Sequence, residues 1–429
     1  MRVALVNPSW SFHGSIYFGC REPHLPLEFG YAAAMLRERG HEVLLADGLL
    51  SGLDNERLAA GVTRFAPDMT VVATAPTYLF WRCPPPELRV PAEFIRMLGA
   101  AAGRIVAVGP HGSTTPGPVL RKLGADVVVR GECEEIVTML AESVDLKATP
   151  SIAYLDDGDI RVNGSPHVSR FVDHPPLEWP QEWLTRHKHH HHRFDSLTDG
   201  PGAEVEASRG CPFACSFCAK LDFRDAYRRR ELPLLLAEID RLLEQGVTYL
   251  YFIDEIFLPQ EPLLEALAAR KLSFGVQMRI DLWKPEQLAM LGRAGCVSIE
   301  AGVESLTLEG RAALHKRCRM DNDELAGRLI EARRHVPFVQ ANLIGTPHDD
   351  TGVVVHWRRR LERNGVWAND PVPLYPYPAS PHYRELWGEP DDFAWERAHS
   401  HYLDTVSRFS DIQNDQPEDL RSLEKPCFP

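Results

Sequence analysis

The sequence predicts an α/β protein with two successive strand–helix domains and a short C-terminal region. Three observations carry this. Continuous Val/Ile/Leu runs alternate with helix-periodic segments over residues 1–142, the pattern of a doubly wound parallel sheet covered on both faces. The alternation resumes at Ala203 and continues to Ser380, enough for six strands of a partial barrel. Between the first strand and first helix of that second series stand Cys211, Cys215 and Cys218, where such barrels place chemistry.

The bulk composition sets bounds. The 429 residues suffice for two or three domains, and 44% hydrophobic with 25% charged residues is the balance of an ordinary globular protein. No run of about 18 apolar residues exists, so no membrane span is expected. The opening Met1-Arg-Val-Ala-Leu-Val-Asn-Pro reads as a strand, too short and too soon polar for a signal peptide. A net charge of −13 without a long basic run disfavours a nucleic-acid partner. Nine cysteines in a chain this long do not make a disulfide framework, so a reducing cytoplasm is expected.

In order, the first domain reads as strand Arg2–Pro8, helix Pro26–Arg39 closed by Gly40, strand His41–Asp47 and helix Asp54–Phe65. Strand Asp68–Ala75, helix Pro91–Ala102, strand Arg104–Val108, short helix Gly117–Leu123 and strand Ala125–Arg130 follow. Ligands of such sheets bind beyond the carboxyl ends of the strands. Those ends carry Asn7–Trp10, Thr74–Tyr78, Gly109–Thr115 and Gly131–Glu134. No G-x-G-x-x-G follows the first strand, which argues against a dinucleotide.

Residues 151–162 read as a hairpin turning at Asp157-Gly158, and residues 163–201 as a Pro-, His- and Trp-rich linker. Its run His187-Lys-His-His-His-His192 is metal-binding by composition, against the simpler reading of a solvated loop. The second series then gives strand Ala203–Ser208, helix Leu232–Gln245, and strands Thr248–Ile253, Phe274–Ile280, Ser298–Gly302, Gln340–Ile344 and Pro371–Tyr377.

The chemistry is concentrated in Glu206-Ala-Ser-Arg-Gly-Cys-Pro-Phe-Ala-Cys-Ser-Phe-Cys-Ala-Lys220, a C-x3-C-x2-C loop. Thiolates are the usual protein ligands of iron–sulfur clusters. Three on one loop hold three irons of a cubane and leave the fourth open to a small molecule. The competing reading is structural zinc, which normally takes four ligands; no second pair follows at zinc-finger spacing, and Cys296 and Cys318 are isolated. Cys20, Cys83, Cys133, Cys296 and Cys318 read as core or surface thiols.

The three-cysteine loop resembles the signature of the radical S-adenosylmethionine (SAM) enzymes, in which the open iron chelates SAM and reduction yields a 5′-deoxyadenosyl radical. The downstream strand ends strengthen the resemblance by their order. They are Phe252-Ile-Asp-Glu-Ile-Phe257, Gly302-Val-Glu-Ser305, Gly345-Thr-Pro347 and Pro373-Leu-Tyr-Pro-Tyr-Pro-Ala-Ser380. The resemblance implies SAM contacts from Phe217, Asp254, Glu255, Arg279, Glu304, Ser305, Gly345 and Tyr377, with Lys316 and Arg317 as further partners for its carboxylate.

The first domain resembles the cobalamin-binding domain that precedes many radical SAM barrels, through Leu25-Pro-Leu-Glu-Phe-Gly30, Gly40-His-Glu-Val43, Val108-Gly-Pro-His-Gly-Ser113 and Asp126-Val-Val-Val-Arg-Gly-Glu132. It implies cobalamin contacts from Pro8, Ser9, Thr74, Pro76, Gly109, Pro110, His111, Gly112, Ser113, Arg130, Gly131 and Glu132, with glycines admitting the macrocycle and Ser113 and Thr114 bonding its nucleotide tail. The D-x-H-x-x-G of histidine-ligated cobalt is missing, and His13 has the wrong spacing, so cobalt without a histidine ligand is implied. A domain that binds nothing is the alternative.

The implied organisation is a Rossmann-like cobalamin domain (1–145), a hairpin and linker (146–202), a partial (β/α)6 radical SAM barrel (203–380) and a closing region (381–429) with Trp387, Trp395 and Tyr402. The implied cofactors are a [4Fe–4S] cluster, SAM and cobalamin, with a flavodoxin- or ferredoxin-like electron donor. The implied activity is methylation of an unactivated carbon of a small molecule through methylcobalamin and the deoxyadenosyl radical. Rearrangement, cyclisation or epimerisation with the same cofactors is the first alternative, and a non-catalytic cobalamin-binding module the second. A methylthiotransferase is disfavoured because Cys20, Cys83 and Cys133 do not supply that family's extra cysteines. No residue is singled out as catalytic base or hydrogen donor.

Overall fold

A computed structural model describes residues 1–10, 23–76, 84, 88–143, 145–187, 200–224 and 226–406. His13, Cys20, Cys83 and residues 188–192 of the histidine run lie outside the described residues. The first sheet is built from β1 (Arg2–Asn7), β2 (Glu42–Asp47), β3 (Met69–Ala73), β4 (Arg104–Val108), β5 (Val127–Val129), β6 (Ile152–Asp156) and β7 (Asp159–Val162). Its order is β2-β1-β3-β4-β5-β6-β7, parallel through β5. The chain therefore reverses its winding between β1 and β3, the switch point where open α/β sheets open a crevice for ligands.

Strand periodicity explains how both faces are covered. Val3 and Leu5 point into one core and Ala4 and Val6 into the other. The first face is covered by helices Leu27–Glu38 and Glu134–Glu142, the second by Asn55–Phe65, Arg89–Leu98 and Pro116–Leu123. Asp54 caps its helix by accepting from Arg57 N at 2.8 Å. The helix expected over 91–102 stops at Leu98, and residues 99–102 tighten into a 3-10 turn between two glycines with positive φ, Gly99 and Gly103.

The hairpin differs in its role from the sequence expectation. β6 pairs antiparallel with β5, and β7 with β6, so the first sheet runs to Val162, beyond the boundary at 145. Hydrophobic alternation in so short a hairpin does not say which sheet it joins.

The second sheet contains β8 (Gly202–Val205), flanked downstream by a two-stranded clip of β9 (Ser208–Arg209) and β10 (Arg228–Arg229). It continues with β11 (Tyr249–Phe252), β12 (Ser273–Met278), β13 (Cys296–Glu304), β14 (Phe338–Gly345), β15 (Trp367–Ala368) and β16 (Val372–Pro373). The order β8-β11-β12-β13-β14-β15 is parallel throughout, an open partial barrel. The expected last strand, 371–377, is reduced to β16, and β15 precedes it; Pro371, Pro373 and Pro376 remove the donors a longer ladder needs.

One apolar core runs from the first sheet's inner face into the barrel, joining Val3 and Leu5 to Ala203, Val205 and Tyr249. The C-terminal region clamps both halves. In helix Pro381–Trp387, His382 N donates to Ser216 O in the cysteine loop at 2.8 Å. In helix Ala394–His401, Trp395 Nε1 donates to Thr115 Oγ1 at 2.9 Å, and Lys122 pairs with Glu396. No helix among the described residues is long and apolar enough to cross a membrane.

Candidate active site at the three-cysteine loop

The clip fixes the base of the cysteine loop. β9 and β10 pair as Arg209↔Arg228 and Ser208↔Arg229, so residues 210–227 leave and return at one point. Gly210 makes the turn with φ +77°, and a Cβ there would lie 2.0 Å from Ala226 O. Cys211, Cys215 and Cys218 are of intermediate exposure, and none of them is in a disulfide. They converge on one cavity of about 170 Å³. Burial pushes the Cys211 and Cys215 thiols above their ordinary range, so these groups keep their protons until a cation offsets the desolvation. The donor set, three convergent thiols with an open side, fits a cubane with one iron left free.

Opposite the loop, β11 and β12 bring Glu255 and Arg279, and β13 brings Glu304. Glu304 sits in the left-handed region at φ +62°, beside a register shift between Gly302 and Glu304. That conformation is uncommon for a residue with a Cβ, and it marks a constrained position. Lys316 Nζ holds it there: the ammonium pairs with the Glu304 carboxylate and donates to Gly302 O at 2.6 Å. Lys316 is itself flanked by His315 and Arg317, both at positive φ. Arg279 lies over the Phe213 ring at 4.0 Å and pairs with Asp281 at 2.8 Å, leaving its Nη1 without a partner among the described residues.

Seven of the sequence-predicted site residues therefore meet at the cavity: the three cysteines, Phe217, Glu255, Arg279 and Glu304. Lys316 joins them, while its neighbour Arg317 is exposed. Asp254 does not. Its buried carboxylate accepts from Ala207 N at 2.9 Å and Ser208 Oγ at 2.5 Å, tying β11 to the chain beyond β8, and burial pushes its pKa up to about 8. Successive residues of an extended segment point oppositely, so only one of Asp254 and Glu255 can face the cavity. Ser305 is occupied by Asp349, donating at 2.6 Å. Gly345 packs near Pro371, and Tyr377 rests edge-on against Tyr375, both away from the lining. Sequence reasoning missed Phe213, Ile256, Gln277 and Met278. Strand parity around Arg279 was the available signal for Gln277.

Glu255 anchors the loop through Gly210 N, at 2.7 Å, and leads into a buried ion chain. Arg224 bridges Glu255 (3.1 Å) and Glu206 (2.6 Å), and Arg209 bridges Glu206 (2.8 Å) and Glu134 (2.6 Å) of the first domain. Burial alone would push the Glu206 carboxyl up, yet the two guanidiniums override it and hold it at about 2. Glu132, expected at cobalamin, pairs instead with Arg228 at 2.6 Å and belongs to this domain junction.

At the first sheet's carboxyl edge, Ser9, Thr74 and Pro76 lie beside the β1/β3 switch point, with Pro8 next to them. Pro110, His111, Gly112 and Ser113 lie in the short helix Pro110–Thr114 after β4, with Gly109 at its N-cap. Several have internal roles. Ser113 Oγ donates to Gly109 O and accepts from Gly131 N, so it is not offered to a nucleotide tail. Gly131 is required by a close approach of chain to chain: its φ is +83° and a Cβ would lie 2.3 Å from His167 O. Arg130 donates to Gly164 O at 2.7 Å. His111 is fully buried, bonded to Thr74 Oγ1 at 3.2 Å, with its ring centroid 4.3 Å from that of Trp395 at a tilt of 45°. No described histidine is presented at this edge as a cobalt ligand.

A thiol triad at the first strand of an open six-stranded parallel barrel, behind a doubly wound domain, defines the class. Residues 205–352 match the Radical SAM superfamily. An uncharacterised methyltransferase of Pyrococcus horikoshii is 26% identical over 71% of this chain and 66% of its own. The anaerobic magnesium-protoporphyrin IX monomethyl ester cyclase of Cereibacter sphaeroides is 24% identical over 92% of this chain and 65% of its own. The chain thus spans just under two thirds of the length of these curated relatives. The radical SAM methyltransferase TsrM of Kitasatospora setae, solved with cobalamin and a [4Fe–4S] cluster, superposes with a TM-score of 0.69 at 18% identity, covering 90% of this chain and 77% of that one. Residues 205–352 thus match the Radical SAM superfamily, and the chain as a whole has the two-domain fold of TsrM.

Proposed function

We propose that the chain is a cobalamin-dependent radical SAM methyltransferase acting on an unactivated carbon of a small molecule. The observation that carries the reading is the convergence of the three cysteines, none in a disulfide, with Glu255, Arg279, Glu304 and Lys316 on one cavity. Cys211, Cys215 and Cys218 would hold a [4Fe–4S] cluster that, with SAM bound, would supply a 5′-deoxyadenosyl radical, and cobalamin at the β1/β3 edge would supply the methyl group. The chain's own residues position and exclude. Glu304, beside Lys316 at the cavity, offers a carboxylate to an ammonium, and the Nη1 of Arg279, without a partner among the described residues, offers a donor to a carboxylate. Phe213, Phe217, Ile256 and Met278 keep water from the cavity. Ser9, Thr74 and Pro76 stand at the β1/β3 switch point, the place where sheets of this kind bind ligands. The relative named a methyltransferase and the TsrM fold support this reading. A small-molecule substrate, a flavodoxin- or ferredoxin-like donor and a reducing cytoplasm belong to the same proposal.

A second reading is supported by the relative named a cyclase: radical chemistry with the same cofactors and no methyl transfer. Product stoichiometry separates the two. Methylation gives one S-adenosylhomocysteine and one 5′-deoxyadenosine per product, with a mass gain of one methylene. Deoxyadenosine rising with product while S-adenosylhomocysteine stays absent would install the second reading. Cys211→Ala, Cys215→Ala and Cys218→Ala together are expected to abolish bound iron and all SAM cleavage; retained cleavage overturns both.

A further inference from the structure

Away from the cysteine loop, three segments bring two imidazoles and a carboxylate to one buried point. His24 precedes the first helix, His187 ends the helix Gln181–Arg186, and Glu204 is on β8. Their exposures are 3%, 6% and 1%. His24 Nδ1 lies 2.9 Å from Glu204 Oε1, and His187 Nε2 lies 3.5 Å from Glu204 Oε2. One donor atom from each residue lies within 4.8 Å of the other two.

The hydrogen-bond accounting makes this more than an ion pair. Neither ring nitrogen of His187 has a hydrogen-bond partner among the described residues, nor does Glu204 Oε2. Buried polar groups without partners are costly, and buried charges are paired or bind metals. An imidazole nitrogen and a carboxylate oxygen facing each other at 3.5 Å, both unbonded, are spaced as two ligands of one cation. We propose that His24, His187 and Glu204 form a structural site for a divalent transition-metal ion, zinc, independent of the cluster. The donors are nitrogen and oxygen without sulfur. That suits zinc better than magnesium or calcium, which take oxygen, or copper(I), which takes sulfur. The set offers three protein donors, one from each residue, and a water can complete a four-coordinate shell. The ion would pin the first domain, the linker and the first barrel strand at one point.

The test is zinc analysis of the purified full-length chain with X-ray absorption at the zinc edge. One zinc per chain is expected, in a nitrogen/oxygen shell with imidazole outer-shell scattering. Glu204→Gln and His24→Gln are each expected to weaken zinc binding by at least about tenfold. Replacing His189–His192 with serine is expected to leave it unchanged. Titration of the zinc-stripped chain with cobalt(II) should give visible d–d bands without sulfur-to-cobalt charge transfer. A sulfur shell, zinc lost with the His189–His192 run, affinity unmoved by both Glu204→Gln and His24→Gln, or a folded wild-type chain that takes no zinc would each overturn the proposal. If a variant fails to fold, the wild-type absorption spectrum decides alone.

Discussion

Lys316 and Glu304 form the most exacting test of the cavity's geometry. Their side chains are 4% and 11% exposed, so the pair is buried. Lys316→Met removes the ammonium while keeping most of the stem. Breaking a buried pair from one side costs roughly 3–5 kcal/mol, because the other charge is left uncompensated. The Gly302 carbonyl also loses its Lys316 donor, roughly 1–3 kcal/mol where no replacement exists. Against this, Glu304 is released from a left-handed conformation that costs roughly 1–2 kcal/mol. The expected net loss is about 4 kcal/mol, a large share of a stability that is typically 5–15 kcal/mol. The assay is urea unfolding of wild type, Lys316→Met, Glu304→Gln and the double variant. The double variant should recover at least about 2 kcal/mol relative to the sum of the single losses. A loss below about 1 kcal/mol in Lys316→Met, or strictly additive losses, would refute the buried-pair reasoning.

Three further outcomes are expected. With Asp254 pushed up to about 8 from an ordinary value of 3.8, its contribution to stability is complete below about pH 4 and is lost as pH rises through about 8. Asp254→Asn should therefore flatten that decline, be the more stable protein at pH 8 by a few kcal/mol (about 1.36 for each pH unit removed), and leave SAM affinity unchanged; a steeper decline or weakened SAM binding would contradict its place in the barrel wall. Gly131→Ala should cost at least about 2 kcal/mol through positive φ and the contact with His167 O, read as a lowered urea midpoint, whereas an unchanged midpoint would mean that the close approach is wrongly placed. Electron paramagnetic resonance of the cob(II)alamin-loaded chain should lack nitrogen superhyperfine splitting; clear splitting would bring a histidine, including His13, back as a cobalt ligand.

The legibility of the site divides along a physical line. The cysteine loop was readable because its ligands are contiguous: C-x3-C-x2-C binds within one turn of chain, and its chemistry needs no knowledge of the rest. Glu255, Arg279 and Glu304 were found by their places at strand ends, yet the same rule also selected Asp254, Ser305, Gly345 and Tyr377, which do not line the cavity. A strand-end position gives an address but not a side-chain direction, and near a strand end one residue of slip reverses the face.

What the sequence alone determined was the order of elements, the two α/β domains and the thiol triad, all of which follow from local periodicity and short-range spacing. What only the tertiary structure decided depends on residues far apart in the chain. The hairpin 151–162 joins the first sheet because β5 offers it a free edge. Glu132 turns to the domain junction because Arg228, 96 residues away, neutralises it there. His24, His187 and Glu204 meet across up to 180 residues of chain. Long-range packing and the pairing of buried charge set these contacts, and no local pattern encodes which distant partner will satisfy a buried polar group.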